Sequence, residues 1–123
     1  MRFKIFDLGL VDYLDAWQFQ KEVLSQVKNG LFNSAIIYCQ HHPVITLGRG
    51  KDRKNILASQ QELQNRGISV YETERGGNVT YHGPGQLLFY PVLNLHYFKK
   101  DIHLFLRKIE QVIIDAIGEL GVN

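Results

Sequence analysis

With 123 residues, 45% of them hydrophobic and 21% charged, the chain has the size of one globular domain or the larger part of one, and it can bury a sizeable core. Fourteen basic side chains against twelve acidic ones leave a formal charge of only +2, which excludes the overall field of a nucleic-acid-binding domain. A single cysteine, Cys39, excludes an intrachain disulfide and a cysteine-rich zinc site and suits a reducing compartment; with no apolar core of a signal peptide in Met1 to Asp7 and no run approaching a membrane span, the expected location is the cytoplasm, without membrane or nucleic-acid partners.

Residues 2–8 alternate Phe3, Ile5 and Leu8 with Arg2, Lys4 and Asp7, which predicts a short strand ending at Gly9. Asp12 can cap a helix whose apolar positions Ala16, Trp17, Val23, Leu24 and Val27 follow the helical period, and Asn29-Gly30 supplies the stop. Ser34 to Cys39 and Val44 to Leu47 form two apolar runs. They are split by Gln40-His41-His42-Pro43, where Pro43 lacks the N–H of a continuous ladder and a bend or bulge is expected. Gly48 to Asn55 is a polar, basic loop; Ser59 to Glu62 has capping-box spacing and Gly67 closes a short helix. Ile68 to Tyr71 reads as a strand, and Leu87 to Leu95 as a central strand buried on both faces despite Pro91. Asp101 then caps a helix with a continuous apolar stripe from Ile102 to Leu120, ended by Gly121, which reads as core-facing. Mixed strands and helices without internal repeats or linkers predict one α+β domain over residues 1–123.

Between the last two strands lies Arg75-Gly-Gly-Asn-Val-Thr-Tyr-His-Gly-Pro-Gly-Gln86, with four glycines, one arginine and one histidine in twelve positions. Glycine permits positive φ and close approach of backbone to a ligand, at an entropic cost that a plain connector rarely carries four times. Freed backbone N–H groups can hold an oxyanion or phosphate, Arg75 can neutralise charge, and His82 can shuttle a proton. The segment is not a phosphate-binding Walker loop, because no Gly-Lys-Ser/Thr follows, and not a dinucleotide fingerprint, because a strand follows instead of a helix. Two turns of a hairpin around Gly76-Gly77 and Gly83-Pro84-Gly85 account for the same composition.

Other candidates carry less chemistry. His41-His42 has no acidic or cysteine partner at ligand spacing except Cys39, and neighbours on a strand face opposite ways, so no metal site is expected. One of the two histidines can face the glycine segment while the other lies at the surface; a turn before Pro43 is the plain alternative. Cys39, within an apolar strand, is expected to be a small core hydrophobe with a raised pKa and not a nucleophile. Gly48 to Lys54 sets four cations against one anion, which suits either a solvated loop or a patch that steers an acidic partner.

Arg75 to Gln86 followed by Leu-Leu-Phe-Tyr-Pro-Val-Leu-Asn-Leu95 resembles the signature of the lipoyl(octanoyl) transferases of lipoate biosynthesis. Gln40 to Thr46 with its following glycine-rich basic turn, and the ending Ile117-Gly-Glu-Leu-Gly-Val122, agree in order and spacing. The resemblance implies a biotin/lipoate-ligase-type catalytic fold. It also implies transfer of an octanoyl group from acyl carrier protein to a lysine of a lipoyl domain, in 2-oxoacid dehydrogenase complexes or the glycine-cleavage carrier protein, without ATP, metal or other cofactor. In that family the corresponding loop borders the acyl substrate, which assigns substrate binding to Arg75, Gly76, Gly77, Asn78, Val79, Thr80, Tyr81 and His82. Val79 and Tyr81 would form apolar wall, and the polar groups would fix the carbonyl end. Because acyl carrier proteins are acidic, Arg49, Lys51, Arg53 and Lys54 become docking candidates. The family's Gly-x-Lys-Ile and Pro-Cys-Gly segments, whose lysine activates the cysteine that becomes the acyl-thioester, have no counterpart in this sequence. A truncated catalytic domain is therefore expected, inactive by itself, with part of the sheet and the apolar stripe of the last helix uncovered and self-association as the result. The alternatives are a non-catalytic acyl- or carrier-binding fragment and a relative of the ATP-dependent lipoate or biotin ligases.

Overall fold

The computed structural model of the protein describes residues 3–50, 52–97 and 100–122. Its contacts divide into two compact units, Met1–Val92 and Leu93–Asn123. The first holds two three-stranded sheets. In one, β1 (Phe3–Val11), β2 (Ser34–His41) and β6 (Leu88–Leu93) lie in the order β1-β2-β6, with β1 and β2 parallel. In the other, β3 (Val44–Leu47) lies between β4 (Ser69–Glu72), its parallel neighbour, and β5 (Val79–His82), its antiparallel one.

The first strand runs past Gly9 instead of ending there. Gly9 adopts φ +59°, its N–H bonds to Asp7 Oδ1 at 2.8 Å, and the β1–β2 register slips between Asp7 and Leu10. The left-handed residue makes a bulge, and pairing resumes beyond it. Helix α1 (Tyr13–Lys28) begins after Asp12, although the Asp12 side chain does not make the capping hydrogen bond expected of it, and it buries Ala16, Val23 and Val27. Val23 and Val27 join Phe32, Ala35 and Ile37 in the core, with Phe6, Phe19, Tyr90 and Val92 packed against it. The Phe6 and Phe19 rings meet edge to face, 5.2 Å between centroids. Helix α2 (Gln60–Asn65) carries the full capping box between Ser59 and Glu62 and buries only Leu63.

Two expectations are corrected. The central strand of its sheet is β2, whose residues are buried or half-buried along its whole length, whereas β6 is an edge strand with Phe89 59% exposed. Pro91 is tolerated there because an edge leaves one side of the ladder unpaired. The second concerns α3 (Ile102–Glu119), which belongs to the second unit. It is capped as predicted, Leu104 N–H donating to Asp101 Oδ1 at 3.0 Å, and it ends at Gly121 with φ +81°. Its apolar stripe does not face a core as its periodicity suggests, since none of its residues is buried; the stripe is uncovered, as expected from the resemblance to a longer catalytic domain. No helix among the described residues is long and apolar enough to cross a membrane.

Candidate functional site

Strand β3 organises the glycine segment. Thr46, fully buried in an otherwise apolar strand, offers its carbonyl and its hydroxyl to a single guanidinium. Arg75 Nη2 donates to Thr46 O at 2.7 Å and Oγ1 at 2.9 Å, and Nε donates to the same Oγ1 at 3.1 Å. Further bonds run from Nη2 to Asn78 O and from Nη1 to Gly76 O, at 3.1 and 2.8 Å. Arg75 thus ties the loop to β3 and folds the loop around itself. The charge that the sequence offered to a ligand is largely committed to neighbouring protein oxygens.

The basic turn closes the loop from the other side. Gly48 N–H donates to Asn78 O at 2.6 Å, Arg49 N–H to Arg75 O at 2.9 Å, and Gly50 N–H to Gly77 O at 3.1 Å. Asp52 N–H adds a bond to Asn78 Oδ1 at 3.2 Å. This contact requires glycine at position 48: a Cβ there would lie 2.5 Å from Gly77 O, 2.8 Å from Gly76 O and 2.9 Å from Arg75 O. Within the loop, Gly77 takes φ +80°, while a Cβ at Gly76 would meet nothing within 4 Å. The loop is therefore fixed by β3 and the basic turn, with open space at Gly76.

From Val79 the chain becomes strand β5, so Val79, Thr80, Tyr81 and His82 are set in register against Leu47, Thr46, Ile45 and Val44. The Gly83-Pro84-Gly85 turn does not close a hairpin, because β5 and β6 belong to different sheets. Gly85 N–H instead donates to Gln40 Oε1 at 2.7 Å, and Gln86 Oε1 accepts from His82 Nδ1 at 2.7 Å. Because an amide oxygen only accepts, that bond places a proton on His82 Nδ1.

An aromatic cluster that sequence reading missed adjoins His82. Tyr13, at the start of α1, stacks on Tyr71 (6.1 Å, 18°) and on His82 (6.5 Å, 8°), and its ring meets His41 edge-on at 5.3 Å. His41 is fully buried and lies 5.9 Å from His82, whereas His42 is exposed. One histidine faces the segment and the other the surface, as the first alternative held. His41 Nδ1 donates to Val11 O at 3.1 Å, so Nε2 accepts from the Tyr90 hydroxyl at 2.7 Å. Burial pushes the His41 pKa down and those of Tyr13 and Tyr90 up, the Arg75 charge partly opposing the rise at Tyr13. These shifts all favour the neutral forms of His41, Tyr13 and Tyr90. Cys39, 1% exposed, lies 3.8 Å from His41 Nε2, and burial raises its thiol pKa; it is the core hydrophobe expected.

Of the basic candidates, Arg49 donates to Glu74 O at 2.8 Å and Arg53 pairs with Glu72 at 3.0 Å on the surface. Lys54 is exposed, and Lys51 lies outside the described residues. No group of three or more His, Cys, Asp or Glu that could hold a metal occurs among the described residues. A cleft of about 400 Å³ is lined by residues of the 53–70 region and by none of residues 75–82. Thr46, Gly48, Gln40 and the tyrosines of the cluster were not singled out beforehand. The one local clue was Thr46, a polar residue inside an apolar strand.

Comparison with known proteins agrees with this architecture. Among curated relatives, octanoyltransferases from Clostridium kluyveri and Solibacter usitatus are 44% and 42% identical over 93% and 94% of this chain, covering 49% and 53% of their own lengths. The chain thus spans about half the length of the curated relatives it matches. A bi-partite lipoate protein ligase from Thermoplasma acidophilum, studied with its E2 lipoyl domain, superposes over 100% of this chain and 47% of its own with a TM-score of 0.67 at 15% identity. A lipoate-protein ligase A bound with ATP superposes over 74% of this chain and 36% of its own, with a TM-score of 0.59 at 15% identity. These likenesses establish a lipoate-ligase fold. The family model for the lipoyl protein ligase A/B catalytic domain matches residues 12–123, and the chain belongs to that family.

Proposed function

We propose that this chain forms the acyl-binding part of an octanoyltransferase of lipoate biosynthesis, within one catalytic domain to which residues 1–123 all belong. An octanoyl group would pass from acyl carrier protein to a lysine of a lipoyl domain, such as those of 2-oxoacid dehydrogenase complexes and the glycine-cleavage carrier protein. The observation that carries the reading is the latched loop. Arg75, Thr46 and the Gly48–Gly50 backbone hold it from behind, leaving free space at Gly76 where a thioester can approach the main chain. Val79 and Tyr81, on one face of β5, supply apolar surface, and loop N–H groups can donate to the carbonyl oxygen. The identity with two octanoyltransferases favours this substrate class over an ATP-activated acid.

The chemistry is a double displacement. A cysteine thiolate attacks the octanoyl carbonyl, the carrier thiol leaves with a proton, and the acceptor amine then attacks the acyl-cysteine to form an amide and free the thiol. A thioester is already activated, so the scheme requires no ATP, metal or cofactor. Cys39 is not that thiolate: it is buried and its pKa is raised. A narrower reading therefore applies to this polypeptide alone, namely acyl or carrier binding without turnover. The setting is cytoplasmic, in keeping with an unpaired thiol.

Titration of the isotope-labelled chain with octanoyl-pantetheine, followed by amide chemical shifts and intact mass, tests the proposal. Shifts centred on residues 76–82 with no added mass are expected. Absence of binding, or shifts confined to other residues, would overturn it.

A further inference from the structure

The cleft of about 400 Å³ lies away from the glycine loop, with Ile56, Leu63, Ile68 and Val70 among its walls and Arg53 at its margin. Between Ile56 and Ala58, which both line it, stands Leu57, 95% exposed and barer than any other large hydrophobic side chain among the described residues. An isolated exposed leucine needs no explanation, but one flanking an apolar cleft and a basic turn has the make-up of an interface centre with a charged rim. Two exposed cations, Arg53 and Lys54, stand at the rim, with Asp52 and Glu72 beside them. Arg53 and Lys54 follow one another in the short 3₁₀ turn Arg53–Asn55, and Asp52 is engaged by the Lys54 N–H at 3.0 Å. The Arg53–Glu72 pair is exposed on both sides, 67% and 46%, so a partner carboxylate can share the guanidinium with little loss.

Position selects the partner. The cleft uses Ile68 and Val70 at β4, while Val79–His82 form β5 on the far side of β3, two strand spacings or about 10 Å away. A partner that presents its reacting group on a rigid turn must seat on the glycine loop itself. One whose acyl group ends a flexible arm can dock beside the loop and reach it. The spacing is fixed, because Gly48, Arg49 and Gly50 are hydrogen-bonded to Asn78, Arg75 and Gly77.

We propose that the cleft between the Arg53–Asn55 turn, α2 and β4, with Leu57 and the cations Arg53 and Lys54 beside it, docks the acyl-bearing carrier: an acidic protein that seats an apolar side chain there while its arm runs to the glycine loop. The proposal rests on the octanoyltransferase reading. It is tested by measuring binding of octanoyl-loaded acyl carrier protein to the full chain at low salt, beside octanoyl-pantetheine, which has the arm chemistry without the protein body. L57S and the double variant R53E/K54E are each expected to weaken carrier binding about tenfold, with R53E/K54E also flattening its salt dependence, and to leave octanoyl-pantetheine binding within about twofold. Carrier binding unchanged in both variants, equal loss of the pantetheine thioester, or a loss seen only with a lipoyl domain would each overturn the docking site while leaving the acyl site standing. A parent chain that binds neither thioester would overturn both.

Discussion

Strand β3 and helix α3 are both strongly apolar, and they end in opposite states. Val44, Thr46 and Leu47 are 2% exposed or less, whereas α3 buries no residue and leaves Val112 63% and Ile114 61% exposed. The difference lies in where each element finds its hydrogen-bond partners. A strand cannot satisfy its own N–H and C=O groups, so β3 exists only through β4, β5 and the loop that Thr46 anchors. A helix satisfies its interior alone, and α3 is completed by the Asp101 cap and by a terminal bond from Val122 N–H to Ile117 O at 3.2 Å. Apolar periodicity thus guarantees the helix without naming what covers it.

The sharpest way to break the contrast is at Gly48. Gly48→Val places a side chain among three loop carbonyls and is expected to cost roughly 3 kcal/mol, with lost protection of residues 75–78, read by urea melts and hydrogen exchange. Thr46→Val keeps the shape but removes the oxygen that serves Arg75 Nε and Nη2; about 1–2 kcal/mol is expected, with exchange accelerating in the loop before the core. Unchanged exchange at 75–78 in both variants would show that the loop does not depend on β3. The pH response sharpens the same region. His41 has its pKa lowered from 6.5, so below that pH the unfolded chain takes up the proton first and stability falls with acid. Cys39 has its pKa raised from 9.0, so above that pH the unfolded thiol ionises first and stability falls with base. Melts should therefore show a plateau between about 6.5 and 9, and a His41→Gln variant should lose the fall that starts below 6.5 while keeping the one below 4.5 that comes from protonating the capping Glu62. The smallest effect is expected in α3: Val112→Lys and Ile114→Lys should change stability by less than about 0.5 kcal/mol while reducing self-association and dye binding, seen by sedimentation and fluorescence. A cost of several kcal/mol there would mean that the face is covered in solution.

These differences also mark what the sequence made legible. The Ser59–Glu62 box, the Asp12 and Asp101 helix starts and the glycine-rich segment are written within a few residues of one another, so short-range chemistry suffices to find them. The Thr46–Arg75 latch joins residues 29 apart, and Tyr13, His41, Tyr71, His82 and Tyr90 come from five separate elements; no local pattern points to such meetings. Leu87 to Leu95 misled because an apolar run with aromatic residues looks alike at the centre and at the edge of a sheet. Pro91 was the residue that distinguished them. Gly48 was legible as a turn residue but not as a position at which three carbonyls converge, since that demand comes from a loop encoded later in the chain.

The register of β3 has a consequence for the order in which the molecule can be made. Val44 pairs with Ser69 on one side and with His82 on the other, so a nascent polypeptide that has left the ribosome only as far as α2 holds an apolar tetrapeptide with both ladders empty. Closing them requires long-range encounters, the slow kind in folding. The glycine-rich segment, which leads into β5, is thus the piece whose emergence lets the second ladder of β3 close.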